Sequence, residues 1–355
     1  VKTKYVIILS TLVIVGLYYR AYQTLHLQAT KQPATTLASN QTIKPRTSAP
    51  LDDLAKSRWA RSQIKASDLF HNKEGIKLTT TEINHFLQEK GSTPLNLIAA
   101  SRLTGDLKWV REAAQKFPQD ATLQLELALK GENPEEKLTA LKSFRQLAPE
   151  NSVGDYLSAN VAFEQGDTGS AAEALTQSLE STAFIDYNTQ IMQAAEGAYL
   201  DAGVKPGIAS IMTFGAFDMS IVSKLFSVSQ NLKAVQDGFI NEADYDSAEP
   251  TVIIGLTLGQ RMQESSPLLI NQLSGMAIEN TFLSQLDPLT VINDQGLTAG
   301  ERIEAIKTKR GEINAVVQGM TPEYYNNLDE SVLQQYMDMA KKDELAALKW
   351  LRSQK

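Results

Sequence analysis

The stretch Asn160–Leu175, "NVAFEQGDTGSAAEAL", decides how this chain folds. Ahead of it and into it, Val153, Tyr156, Leu157 and Val161 lie on one helical face. Beyond it, Ala171, Ala174, Leu175, Ser178 and Leu179 fall at i, i+3, i+4, i+7 and i+8, one face of a second helix. Between the two runs stands Gly166-Asp167. Glycine tolerates a positive φ at the end of a helix, and an aspartate side chain orders a turn or caps the helix that follows. Ala171 is small, so two antiparallel helices can approach closely beside their joint. The stretch predicts a helical hairpin.

The pattern recurs. "TGDLKWVREAA" spaces Asp106, Val110 and Ala114 as Asp167, Ala171 and Leu175 are spaced. "EADYDSAEPTV" does so with Asp244, Ala248 and Val252, and "KKDELAALKWL" with Asp343, Ala347 and Leu351. Pro118 and Pro149, 31 residues apart, end two intervening helices. Capping boxes are expected at Thr79/Glu82, with Gly91 as the stop, and at Thr298/Glu301 ahead of Ile303, Ile306, Ile313, Val316 and Val317. Thr93-Pro94, Ser266-Pro267, Asp287-Pro288 and Thr321-Pro322 each offer an N-cap with proline at the first helical position. Strand signals are nearly absent past Leu51, so the body is expected to be all-α, built from stacked antiparallel helical hairpins.

From Pro94 to Glu180 this resembles the tetratricopeptide repeat, a family with a unit of about 34 residues. That family places small residues at three set positions, a Gly-Asp-like turn and a closing proline. In the unit beginning near Ser152, the small positions fall on Ala159, Ala171 and Ser178. The intervals between Asp turns are irregular, most repeats lack a large aromatic early in the first helix, and Asn133-Pro134 enlarges one turn. The overall layout also resembles membrane-anchored, tetratricopeptide-like bacterial proteins. Stacked hairpins make a concave surface suited to binding peptide segments of other proteins, so a protein or peptide partner is expected.

The organisation read along the chain is an anchor at 1–22, a stalk at 23–50, leading helices at 51–92, repeats at 93–182 and divergent hairpins at 183–355. Lys2 and Lys4 precede an uncharged, mostly apolar run from Tyr5 to Tyr19, closed by Arg20. A cleaved signal peptide and a retained transmembrane helix both have that outline. The small-x-small site is poor (Leu27-x-Ala29), while Tyr18, Tyr19 and Tyr22 suit an interfacial belt, which favours the anchor. A short basic N-terminus stays in the cytoplasm, so the body is expected outside it, as in a single-pass membrane protein. Gln28 to Pro50, rich in Thr, Ser, Ala, Gln and Pro, reads as a disordered stalk with a relaxed reach of about 25 Å.

The 355 residues carry 43% hydrophobic and 21% charged side chains, enough apolar material for a sizeable core. The net charge of −7 is unevenly placed. Residues 1–65 hold ten Lys/Arg against Asp52 and Asp53, which leaves 24 basic and 39 acidic residues beyond, a net of −15. An acidic body argues against nucleic acid as a partner. The basic segment "LDDLAKSRWARSQIK" is expected to be a helix with Leu51, Leu54, Ala55 and Trp59 on one face. It has two destinations: the acidic body, or anionic lipid near Lys56, Arg58, Trp59 and Arg61.

No pattern of catalytic chemistry emerges. There is no cysteine, and the three histidines, His26, His71 and His85, sit at no metal-binding spacing. No nucleophile elbow and no phosphate-cradling glycine loop is present. "DYDSAE", Asp244–Glu249, has a faint calcium-loop spacing but lacks the glycine and distal glutamate such a loop needs, and it reads as a hairpin turn. "TVIIGLTLGQRM" is too short to span a bilayer, and its Gly255 and Gly259 read as sites of close helix packing. No catalytic, cofactor or metal residue is expected. Three functions stay open: a scaffold binding protein or peptide, a structural or assembly subunit of a membrane complex, and an enzyme without a recognisable motif, the first favoured.

Overall fold

A computed structural model describes residues 51–64, 77–293, 295–318, 320 and 328–354. The expected anchor and stalk, Lys65, His71 and the Thr321-Pro322 cap lie outside the described residues. Among the described residues the fold is all-α, with sixteen α-helices, a short 3-10 turn and two isolated β-bridges. No described helix is long and apolar enough to cross a membrane.

In chain order the helices are α1 (Leu51–Ser62), α2 (Thr80–Lys90), α3 (Pro94–Thr104), α4 (Lys108–Lys116), α5 (Ala121–Lys130), α6 (Pro134–Leu147), α7 (Val153–Glu164) and α8 (Thr168–Glu180). There follow α9 (Asn188–Asp201), α10 (Pro206–Met212), α11 (Ser220–Asn241), α12 (Tyr245–Glu264), α13 (Leu269–Leu283), α14 (Ala299–Val317), α15 (Glu330–Ala340) and α16 (Glu344–Arg352). They form two compact units, each drawn from separated parts of the chain. Of the described residues, unit 1 takes those within 1–109, 191–217 and 320–337; unit 2 takes those within 110–190, 218–319 and 338–355.

Helix ends follow local chemistry. At α2 the Thr79 side chain accepts from Glu82 N–H while the Glu82 carboxylate accepts from Thr79 N–H, and Gly91 takes φ +86° at the far end. The same reciprocal box starts α14 at Thr298 and Glu301. Thr93 caps α3 and Asn133 caps α6, each with proline in the first turn. The opening stretch forms the hairpin α7/α8: Gly166 has φ +73°, Asp167 Oδ1 accepts from Ser170 N–H, and Ala171 is 0% exposed. Asp244 and Asp343 cap α12 and α16 in the same way. Ala248 and Ala347 are buried four residues on.

Two expected starts are displaced. α13 begins at Leu269, not at Pro267, and Ser266 only accepts from Leu268 N–H. The reason is tertiary: the buried Glu344 carboxylate accepts from Leu269 N–H at 2.6 Å, so the cap comes from α16. Asp287-Pro288 starts no helix. Asp287 accepts from Leu289 N–H, and a small antiparallel bridge joins Val291 to Thr298.

In unit 1, α2 packs on α3, and Phe86 lies against Gly197 of α9. In unit 2 the hairpins α5/α6, α7/α8 and α12/α13 are the main contacts, with α11 packed on both α7 and α12. The α12/α13 pair is the tightest: a Cβ on Gly259 would stand 2.7 Å from the Gly275 carbonyl oxygen. Phe282 fills the space left by Gly255. The two glycines of "TVIIGLTLGQRM" are thus sites of close backbone approach.

Candidate functional site

A cleft of about 900 Å³ opens in unit 2 along α6, α7 and α8. Its walls follow from the hairpin geometry. α6 and α7 are joined by the turn Ala148–Ser152, and the α7/α8 turn closes the opposite end. α6 turns Leu138, Leu141, Lys142 and Arg145 toward the space, α7 contributes Asp155, Ser158 and Val161, and α8 contributes Gln177 and Glu180. The lining is mixed polar and apolar.

Asp155 lies at its base, 7% exposed, in the first turn of α7. Arg145 Nε donates to Asp155 Oδ1 at 3.1 Å, and Ser181 Oγ donates to Asp155 Oδ2 at 3.0 Å. Arg145 also donates to Gln177 Oε1. Burial pushes the Asp155 carboxyl above its ordinary range, against the opposing pull of Ser181, Arg145 and Arg261. Arg261 of α12 donates to the carbonyls of Ser178 and Ser181 at the C-terminal end of α8, where partial negative charge gathers. Beside it, burial raises the Tyr156 phenol. Two arginines thus fix the base of the cleft, and Asp155 spends its charge on a neighbour.

The base presents one carboxylate, already paired, and no nucleophile and base converge on it. Among the described residues no group of three or more His, Asp or Glu side chains is placed to hold a metal ion. The described histidine, His85, is half-buried on α2, with Nδ1 2.7 Å from Asp201 Oδ2 in unit 1. The Asp244–Glu249 stretch is the N-cap and first turn of α12, Asp244 accepting from Ser247 N–H.

The basic helix α1 differs from expectation in its orientation. Trp59 is 70% exposed, and Ala55 is exposed too. The inward side carries charge: Arg61 binds Glu82 through Nε and Nη2 at 3.2 Å each, and Arg58 Nε donates to the Asp201 carbonyl at 2.9 Å. α1 is 12 residues long and buries none of its described side chains. Guanidinium groups with buried carboxylates to meet outcompete a thin apolar stripe for the inward face.

The cleft residues carried no motif. One signal was available: Asp155 falls between Val153 and Tyr156 on a stretch otherwise buried, and a charged residue at a core position requires a partner. Nothing local points to Arg145 or Arg261 as that partner's neighbours. Comparison with known proteins adds no relative: no family model matches the chain, and no curated protein and no solved structure matches it at a significant level. The class defined by the described residues is an all-α protein.

Proposed function

We propose that this chain is a membrane-anchored scaffold of tetratricopeptide-like hairpins that binds other proteins or peptides outside the cytoplasm. The observation that carries the reading is the cleft along α6–α8, with its mixed lining and its base pinned by Arg145 and Arg261. α7 is 12 residues long, about 18 Å at 1.5 Å per residue, which spans roughly five residues of extended peptide. Leu138, Leu141 and Val161 offer apolar contacts, and Lys142, Gln146 and Glu180 line the same space. In this reading the chain is not an enzyme and uses no cofactor.

The test is site-specific photocrosslinking in the native membrane. A photoreactive residue at Ser158 should capture a discrete partner, whereas one at the exposed Glu304 of α14 should not. Ser158→Trp should fill the cleft and abolish capture by a probe at Gln146. Equal capture at Ser158 and Glu304, or capture indifferent to Ser158→Trp, removes the cleft as the binding surface.

A second reading, a permanent assembly subunit, is favoured by one observation. Leu289 is 82% exposed and Val291 60%, an apolar pair on the ordered turn between α13 and α14. A subunit would cover them. Leu289→Ser with Val291→Ser then solubilises or releases the protein from a larger complex while capture at Ser158 persists.

A further inference from the structure

The seat of α1 is unusual for a helix. None of its side chains from Leu54 to Ser62 is buried, so little apolar area holds it down. What holds it is polar. Ser57 Oγ donates to Glu82 Oε1 at 2.6 Å, and the Arg61 guanidinium bridges both Glu82 oxygens and the Lys77 carbonyl. Arg58 Nη2 lies 3.3 Å from Asp201 Oδ1, and His85 takes the other oxygen of that carboxylate. Gly203 lets the Arg58 backbone come close, since a Cβ there would stand 2.8 Å from the Arg58 carbonyl oxygen. Two carboxylates and a glycine make the seat.

The partners left behind are prepared for its departure. Glu82 keeps its capping-box bonds from Thr79 N–H and Oγ1, at 2.7 and 2.9 Å, whether or not Arg61 is present. Asp201 keeps His85. The interactions lost are ion pairs and hydrogen bonds that water can replace, unlike the loss of a packed apolar face. On the outer side of α1 stands Trp59, the exposed tryptophan of the three in the chain. Its indole ring stands in solvent beside arginines that carboxylates engage, and a tryptophan's apolar body with a polar N–H suits a headgroup boundary.

We propose that α1 is a charge-held strap that exchanges its seat on Glu82 and Asp201 for an anionic lipid surface. There Arg58 and Arg61 trade carboxylates for lipid phosphates, and Trp59 enters the headgroup boundary. The choice of lipid over a protein partner rests on charge complementarity: the seat shows that α1 docks by its cations on negative oxygens. This inference is independent of the cleft.

The experiment uses the full chain with Trp109→Phe and Trp350→Phe, so that emission reports Trp59 alone. It is mixed with vesicles of phosphatidylcholine, or of phosphatidylcholine with phosphatidylserine, each containing brominated lipid. Any insertion of the 5–19 segment occurs in both and leaves the comparison intact. Trp59 emission should move to shorter wavelength and be quenched severalfold more in the serine-lipid vesicles. Asp201→Asn, which loosens the seat, should increase that quenching. Arg58→Gln with Arg61→Gln, its helical circular dichroism retained, should abolish it, as should salt near 1 M, where charges are screened beyond about 3 Å. Quenching equal in the two vesicle types, absent in both, or unmoved by Asp201→Asn would overturn the proposal.

Discussion

At the residue scale, the joint of α7 and α8 turns on Ala171, which is fully enclosed. Ala171→Phe adds a ring where no space exists and should cost about 1–3 kcal/mol, seen as a lower urea midpoint with an unchanged slope. Glu344 gives a second test. It is the first residue of α16, it is buried, and its carboxylate accepts from Leu269 N–H of α13. Burial pushes its carboxyl up to about 7 from an ordinary 4.5. An acid raised on folding binds more protons in the native state than in the unfolded one between those two values. Stability from this group therefore falls as pH rises from 4.5 to about 7 and is level beyond. Glu344→Gln keeps an acceptor for Leu269 and removes the charge. Its stability relative to the parent should improve between about pH 5 and about pH 8, by on the order of 2 kcal/mol, measured by urea denaturation at each pH. A pH-independent difference between the two would refute the buried-carboxylate account.

At the scale of elements, the α12/α13 pair depends on the absence of side chains. A Cβ on Gly259 meets the Gly275 carbonyl and the Glu279 backbone, neither of which can rotate away. Gly259→Ala should force the helices apart and destabilise by about 1–3 kcal/mol, even though alanine favours helix. Just beyond lies Glu279, 0% exposed, held by Arg302 of α14 through Nε at 2.6 Å and Nη2 at 2.7 Å, and by Gln263. Arg302→Met leaves that carboxylate buried without its cation and should cost about 3–5 kcal/mol. Glu279→Gln in the same chain should restore part of the loss, and a double-mutant cycle in urea measures the coupling. The caps divide along similar lines. Thr79, Thr298, Asp167 and Asp244 bond within their own turn and were readable from spacing alone. The start of α13 was not, because its cap is a side chain 75 residues away.

At the scale of the molecule, a chain shortened to begin at Leu51 should remain helical, since both units draw their described cores from residues beyond it. Circular dichroism and cooperative urea unfolding check this. Full-length protein should stay with membranes through an alkaline carbonate wash if the segment from Tyr5 to Tyr19 is a retained anchor. Release of a shortened soluble form would show a cleaved signal instead.

Legible in the chain alone were the all-α class, the hairpin turns at Asp167 and Asp244, the helix cap at Asp343, and the close approach at Gly255 and Gly259. Each of these rests on forces acting within a few residues: apolar periodicity, a side chain reaching its own backbone, or the freedom of glycine. Tertiary structure decided the rest. It gathered 191–217 with the leading helices, turned the arginines of α1 inward and Trp59 outward, and set Asp155 between Arg145 and Ser181. Those outcomes join residues distant in the chain through burial and charge. A buried carboxylate needs a cation, and which cation reaches it depends on how the helices pack, a quantity that no local pattern encodes.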